Sequence, residues 1–268
     1  MPGISYFCVV SCPPITVTFL GTGTSSGVPM IACPCEVCTS ADKKDKRLRS
    51  SILVESATTT IVVDTTPDFR YQMLRVPVKK MDGVLFTHHH KDHVAGLDDI
   101  RAFNFFQQKA MEVFASELTT TALMREFSYV FSDMKYPGIP EINLNLINDA
   151  PFVIGDIPVI PILVWHLNMP VYGFRFGKFT YITDANNIDE KEKAKVRGSD
   201  TLVLNALRHE KHISHYNLTE ATALVQELEV PRGYFTHISH QLGTHNQINE
   251  ALPRGIELAY DGLRISFN

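Results

Sequence analysis

The sequence predicts an α/β domain with two sheets and helices outside them. Short apolar, β-branched runs recur along all 268 residues, a few helix-period stretches are interleaved with them, and no low-complexity linker or short-period repeat divides the chain. Residues 15–268 read as one domain, preceded by a segment, 1–14, of unassigned role.

The elements follow in order. "ITVTFL" (15–20), "SILVES" (51–56) and "TIVVD" (60–64) read as strands. "GVLFT" (83–87) is a short buried strand that runs into a histidine cluster. "IPVIPILV" (157–164), "VYGFRF" (171–176) and "FTYIT" (179–183) are further strands, the last two parted by Gly177-Lys178 as in a hairpin. "TLVLN" (201–205), "GYFTH" (233–237) and "LRISF" (263–267) complete the set. Over 218–228, Leu218, Ala221, Leu224, Val225 and Leu228 share one helical face, with Asn217 or Thr219 as the cap. Segments 117–127 and 189–196 are helix-like, and "DDIRAFNFF" (98–106) continues a helix beyond the histidines. Loops 132–150 and 205–216 carry no decodable pattern.

Composition narrows the function classes. A chain of this size buries roughly three-quarters of its unfolded surface, so a core is available without disulfides. The net charge of −4 gives no global attraction to nucleic acid. The basic run Lys43-Lys44-Asp45-Lys46-Arg47-Leu48-Arg49 reads as a solvated loop, with a phosphate-facing edge as the alternative. The N-terminal "MPGISYFCVVSCPP" has no basic start, its apolar run is short for a signal peptide, and no stretch approaches the ~20 apolar residues of a membrane span. The expectation is a cytoplasmic protein without nucleic-acid or membrane partners. Five cysteines is an odd number, which argues against a fully paired disulfide framework. Cys8 and Cys12 read as inert thiols. Cys33, Cys35 and Cys38, in C-x-C-x-x-C spacing, can hold a metal but leave a tetrahedral site one ligand short.

The sharpest signal is "THHHKDHVAG" (87–96), with His88-x-His90-x-Asp92-His93 directly after a buried strand. Residues i and i+2 leaving a strand point the same way, so His88 and His90 can share one metal. Asp92 and His93 can aim at a second position nearby. Imidazole and carboxylate ligands suit Zn²⁺, Fe²⁺ and Mn²⁺.

H-x-H-x-D-H after a strand resembles the metallo-β-lactamase superfamily. The resemblance implies an αββα four-layer sandwich with a metal site on the sheet edge. It implies that His166 in "LVWHLNMP" joins His88 and His90 on a first metal. Asp92, His93 and His237 of "GYFTHISHQ" would hold a second metal, with Asp184 of "FTYITDANN" bridging both. Asp64, ending "TIVVD", would orient a ligand from outside the metal shell. Histidine at position 90 favours the hydrolytic branch over the oxygen-reducing di-iron branch, which carries glutamate there.

A narrower resemblance, to the phosphoribosyl cyclic phosphodiesterases of the carbon–phosphorus lyase pathway, rests on C-x-C-x-x-C together with "THISH" (236–240), "GTGTSSGVP" (21–29) and "HYNLTEA" (215–221). It implies that His240 completes a structural zinc site with Cys33, Cys35 and Cys38. It also implies His215 as general acid, although His209 and His212 stand just before it. Asp92 and His215 are then the catalytic candidates. Arg70 could clamp a second substrate phosphate or lie on a helix surface, and His245 reads as a surface or loop-pinning residue. The implied cofactors are two divalent active-site ions, Zn or Mn with Fe as a further option, and one structural Zn. The implied reaction is hydrolysis of a small phosphorylated substrate such as phosphoribosyl 1,2-cyclic phosphate, and a homodimer stays open. The rivals are a tRNA 3′-end endonuclease, a thioesterase, a lactonase, a cofactor-biosynthesis protein of the pyrroloquinoline type and a non-catalytic metal-binding scaffold. The first lacks its basic arm here, and the last would be missing a ligand.

Overall fold

The structure, a computed structural model, describes residues 12–133 and 136–268. Its strands are, in chain order, β1 (Ile15–Gly21), β2 (Ser51–Glu55), β3 (Thr60–Val63), β4 (Gly83–Leu85), β5 (Met111–Ala115), β6 (Ile142–Leu146), β7 (Phe152–Ile154), β8 (Ile157–His166), β9 (Met169–Phe176), β10 (Phe179–Tyr181), β11 (Thr201–Asn205), β12 (Arg232–Thr236), β13 (Ile256–Leu258) and β14 (Arg264–Phe267). They form two seven-stranded sheets, ordered β14-β1-β2-β3-β4-β5-β6 and β13-β12-β11-β10-β9-β8-β7. Both sheets are mixed: β3 to β6 run parallel in the first, as β10 to β13 do in the second.

Strand alternation builds the layers. Val17, Phe19 and Val63 meet Phe174, Phe176 and Tyr181 between the sheets, while Leu20 and Val62 turn outward onto Phe69, Leu97 and Leu123 of the helical layer. Val203 likewise faces inward, and its neighbours Leu202 and Leu204 pack outward with Ala221, Leu224 and Val225. With both faces of each sheet covered, strands such as "TIVV" read as continuous apolar runs rather than alternating ones. The αββα sandwich is the architecture expected from the sequence.

Several local expectations change. β8 runs on to His166, whereas β10 stops at Tyr181. β6 lies inside the stretch read as patternless: "INLNL" alternates, but on a half-exposed edge strand with asparagine in every second place. Segment 98–106 divides into a 3-10 turn, Leu97–Ile100, and an α-helix, Arg101–Gln107. The basic run is not a solvated loop. Arg47 is 3% exposed and donates to Thr22 Oγ1 at 2.8 Å and the Ala259 carbonyl at 2.6 Å, with His245 Nδ1 at 3.2 Å. Arg49 pairs with Asp68 at 3.1 Å. Burial is tolerated because the Arg47 guanidinium finds partners for its donors. His245 is buried too, and its backbone N–H donates to Asp45 Oδ1 at 2.7 Å, so it pins this loop. Gly21 is required here: a Cβ would stand 2.0 Å from the Arg49 carbonyl oxygen. Cys12 is half-buried, and burial raises its thiol pKa. Cys8 lies outside the described residues. No helix among the described residues is long and apolar enough to cross a membrane.

Candidate active site and metal centres

One edge of the sandwich gathers the strand ends that carry chemistry. Asp64 follows β3, His88 and His90 follow β4, His166 ends β8, Asp184 follows β10 and His237 follows β12. Because β3 and β4 are parallel, and β10 and β12 run the same way, their C-terminal ends converge. Asp92 and His93 ride on the short helix Lys91–Val94 that opens after His90. Asp64, Asp184 and His237 hold left-handed φ values of 66°, 57° and 54°. Non-glycine residues in that region cost of order 1 kcal/mol or more each, a strain that recurs where function fixes a side chain.

Asp184 sits at the centre. Its Oδ2 lies 3.6 Å from His88 Nε2, 3.3 Å from His93 Nε2 and 3.5 Å from His215 Nε2; its Oδ1 lies 2.9 Å from His237 Nδ1. Asp92 Oδ2 stands 3.3 Å from His93 Nε2, and His88 Nε2 stands 3.1 Å from His90 Nδ1. The donor atoms of Asp92, His93, Asp184 and His237 lie within 4.8 Å of one another, as do those of His88, His90 and Asp184, and those of His166, Asp184 and His215. The rings of His88 and His90 lie 5.8 Å and 5.2 Å from that of His166. The expected second ligand set thus clusters with the expected bridge. His166 groups with His215, which the sequence reading kept outside the ligands.

Nε2 of His93, Nε2 of His215 and Nδ1 of His237 are buried without a hydrogen bond of acceptable geometry, although a carboxylate is close to each. Three orphaned buried nitrogens converging on one carboxylate would be costly in a polar cluster that had only itself for company. An all-nitrogen and oxygen set aimed at shared points fits a pair of divalent ions.

The supports behind the donors fix their orientation. Asp64 accepts from His93 Nδ1 at 2.8 Å, from the Thr87 backbone N–H at 2.9 Å and from Thr87 Oγ1 at 2.9 Å. His166 Nδ1 donates to the Ser214 carbonyl at 2.7 Å, which leaves Nε2 as its free lone pair. The His237 backbone N–H donates to Ser50 Oγ at 3.1 Å. Thr87, Ser50 and Ser214 were not singled out from sequence; only the threonine preceding the histidine run offered a signal.

Electrostatics separates the histidines. Burial alone would lower His93, but Asp184, Asp92 and Asp64 outweigh it and hold its pKa well above the ordinary value. Burial, reinforced by His93, drives His88 well below it. Burial lowers His166 to about 4 against the opposing pull of Asp184. Burial lowers His215 as well, again with Asp184 opposing. Asp184 itself is penalised by burial, yet His237 and His93 hold it well below the usual carboxylate range.

His212 lies beside His215, their Nδ1 atoms 3.1 Å apart, while His209 is exposed. Arg70 is exposed on the helix Phe69–Arg75, and no interaction among the described residues ties it to the site.

A second cluster stands apart. The sulfurs of Cys33 and Cys35 each lie 3.4 Å from His240 Nδ1, and the four donor atoms of Cys33, Cys35, Cys38 and His240 fall within 4.8 Å of one another. The Cys38 backbone N–H and then His240 lower the Cys35 thiol to about 6, whereas burial pushes Cys38 up to about 11. Three sulfurs and one imidazole form a donor set suited to tetrahedral zinc. Backbone bridges Gly23↔Ile238 and Gly23↔Arg49 carry the same N-terminal loop past the strand end that bears His237.

Comparison with known proteins establishes the superfamily. The family model described as "Beta-lactamase superfamily domain" matches residues 59–238, and the chain belongs to that superfamily. Within it, the chain resembles the narrower group anticipated from the cysteine and "THISH" motifs. It is 38% identical to a structure titled as a new diphosphatase from the PhnP family, with a TM-score of 0.90, covering 96% of this chain and 98% of that one. Zn²⁺-bound PqqB from Methylobacterium extorquens shares the fold at 21% identity, with a TM-score of 0.74 over 94% of this chain and all of that one. Among curated proteins, the chain is 36% identical over 247 residues to an octanoyltransferase of Porphyromonas gingivalis, covering 91% of this chain but only 50% of that relative's length.

Proposed function

We propose that the chain is a metal-dependent phosphodiesterase acting on a small phosphorylated substrate, such as phosphoribosyl 1,2-cyclic phosphate. The observation that carries this reading is the convergence of six His and Asp residues, with His215, around Asp184. The likeness to a PhnP-family diphosphatase over nearly the whole chain supports the phosphate chemistry.

Two divalent ions, when bound, would offset charge on the phosphoryl oxygens and bring the pKa of water to about 7. The chain's residues would do the rest. His88, His90 and His166 would hold one ion, Asp92, His93 and His237 the other, and Asp184 would span both. Asp64 and the Ser214 carbonyl would keep His93 and His166 in the tautomers that offer Nε2 inward. His215 would deliver a proton to the departing oxygen, a contribution of about 10²–10⁴-fold. The cysteine cluster would hold a structural zinc that secures the His237 strand end.

The test is an assay of metal-loaded protein against a ribose cyclic phosphate, bis-p-nitrophenyl phosphate, a thioester and a lactone. Turnover of the phosphodiesters is the expected outcome. Turnover of the thioester or the lactone alone would replace this reading with another hydrolase activity.

A further inference from the structure

Beyond its donors, the site has an apolar wall. A pocket of about 520 Å³ adjoins His90 and His166, and Leu118, Leu167, Met169 and Pro170 line it. Its other two lining residues, Asn168 and Ser214, are neutral, so neither an anionic nor a cationic group would find a charged side-chain partner in that wall. Leu118 is 46% exposed and Leu167 50%, so large apolar side chains are presented to water beside the chemistry.

Leu167 is also held in a left-handed conformation, with φ 59°. It is the first of two residues turning β8 into β9, where His166 pairs with Met169. Asparagine or glycine takes that conformation at lower cost than leucine does. The turn is fixed: Leu167 N–H donates to Asn186 Oδ1 at 2.8 Å, and Asn186 Nδ2 donates to the Ile213 carbonyl at 2.9 Å. The next carbonyl, that of Ser214, receives His166. A strained leucine is therefore kept beside a candidate ligand by the same loop that orients the ligand.

We infer that this pocket seats an uncharged, apolar ester arm of the substrate, with Leu118 and Leu167 as specificity-determining residues. The arm is an alkyl or aryl group that stays on phosphorus when the leaving group departs, which narrows the proposed substrate to an acyclic diester, since in a ribose 1,2-cyclic phosphate both ester oxygens belong to one polar sugar and no separate arm exists. The inference rests on the phosphodiesterase reading. In the step concerned, water oxygen bonds to phosphorus as the bond to the leaving oxygen breaks. The departing oxygen takes up a proton or leaves as the anion, and the arm stays on phosphorus as the monoester.

The experiment uses metal-loaded protein and methyl, butyl and hexyl p-nitrophenyl phosphates, which share one leaving group. kcat/KM should rise about two- to fourfold per added methylene until the pocket is filled. Leu118→Asp and Leu167→Asn should each lower the hexyl-to-methyl ratio about tenfold. Leu167→Asn should meanwhile raise Tm by about 2–4 °C, because the backbone strain is relieved. Calorimetric binding of hexylphosphonate against methylphosphonate reads the pocket without turnover. A flat chain-length series together with equal phosphonate affinities overturns the inference. Tighter hexylphosphonate binding that both variants weaken, without turnover of any diester, supports the apolar seat while removing the phosphodiesterase reading.

Discussion

Asp184 faces four histidines from a left-handed backbone, and that combination sets the expected behaviour of its variants. Asp184→Asn keeps a side chain that tolerates this φ, so Tm should stay within a few degrees while diesterase kcat/KM falls by ~10³-fold or more. Near-normal turnover by the folded variant would remove Asp184 from the site. Asp64 is different, because it touches His93 and Thr87 rather than the reaction. Asp64→Ala should weaken active-site metal affinity about 10–100-fold, measured by competition with a chelator. At His245, burial and then Arg47 lower the pKa to about 4, below the ordinary 6.5. The unfolded chain then binds the extra proton first as pH falls, so this residue costs stability progressively between about pH 6.5 and pH 4. Replacing it with glutamine should flatten the fall of Tm across that window; an unchanged slope would show that the proton uptake lies elsewhere. The H-x-H-x-D-H run was legible because the ligand types themselves are informative. Ser214 was not, because it acts through a carbonyl whose partner, His166, is 48 residues away.

The helix Leu218–Glu227 shows what is legible one level up. Its apolar spacing predicted it, and Asn217, one of two candidate caps, closes a capping box: the Glu220 N–H donates to Asn217 Oδ1 at 2.8 Å, and the Asn217 N–H donates to Glu220 Oε2 at 3.1 Å. Asn217→Ala should cost about 1 kcal/mol, read as a Tm lower by roughly 2–4 °C. The cap stands two residues beyond His215, so a larger loss of turnover than of stability would indicate that the cap also steadies the candidate acid. Elements that escaped the sequence reading are short or lie near sheet edges. β7 and β13 have three residues each, too few to display a period, and β6 spends two of its five on asparagine. Helix Phe69–Arg75 leaves Tyr71 and Leu74 exposed, which blurs the apolar stripe that would have announced it.

At the scale of the molecule, both sheets contribute to a single edge, and strand order brings residues from 64 to 237 together. The resemblance implied this gathering; periodicity alone did not contain it, since pairing order is a property of long-range contacts. Two histidines three residues apart offer a test of how the edge is divided. His237→Ala should abolish diesterase activity yet keep the metal of the cysteine cluster and most thermal stability. His240→Ala and Cys35→Ser should both lose that metal and lower Tm, with activity partly recovered at low temperature. Zinc content, Tm and rate, measured for all three variants, decide it; a His240→Ala protein that keeps zinc and stability but is inactive would reverse the assignment.

Cys35 and His240 are 205 positions apart, so the ion they would share clasps the beginning of the described chain to its far end. Unlike a covalent bridge, such a clasp lets go on unfolding, when the imidazole arm departs. Its contribution is therefore set by mass action: each tenfold rise in free zinc above its dissociation constant adds up to about 1.4 kcal/mol, or roughly 3–5 °C of Tm, reduced by whatever zinc the three neighbouring cysteines still hold in the unfolded chain. The unfolded fraction would then fall by up to about tenfold for each tenfold rise in free zinc, and a starved cell would lose the protein by unfolding before its catalytic edge was ever chemically altered.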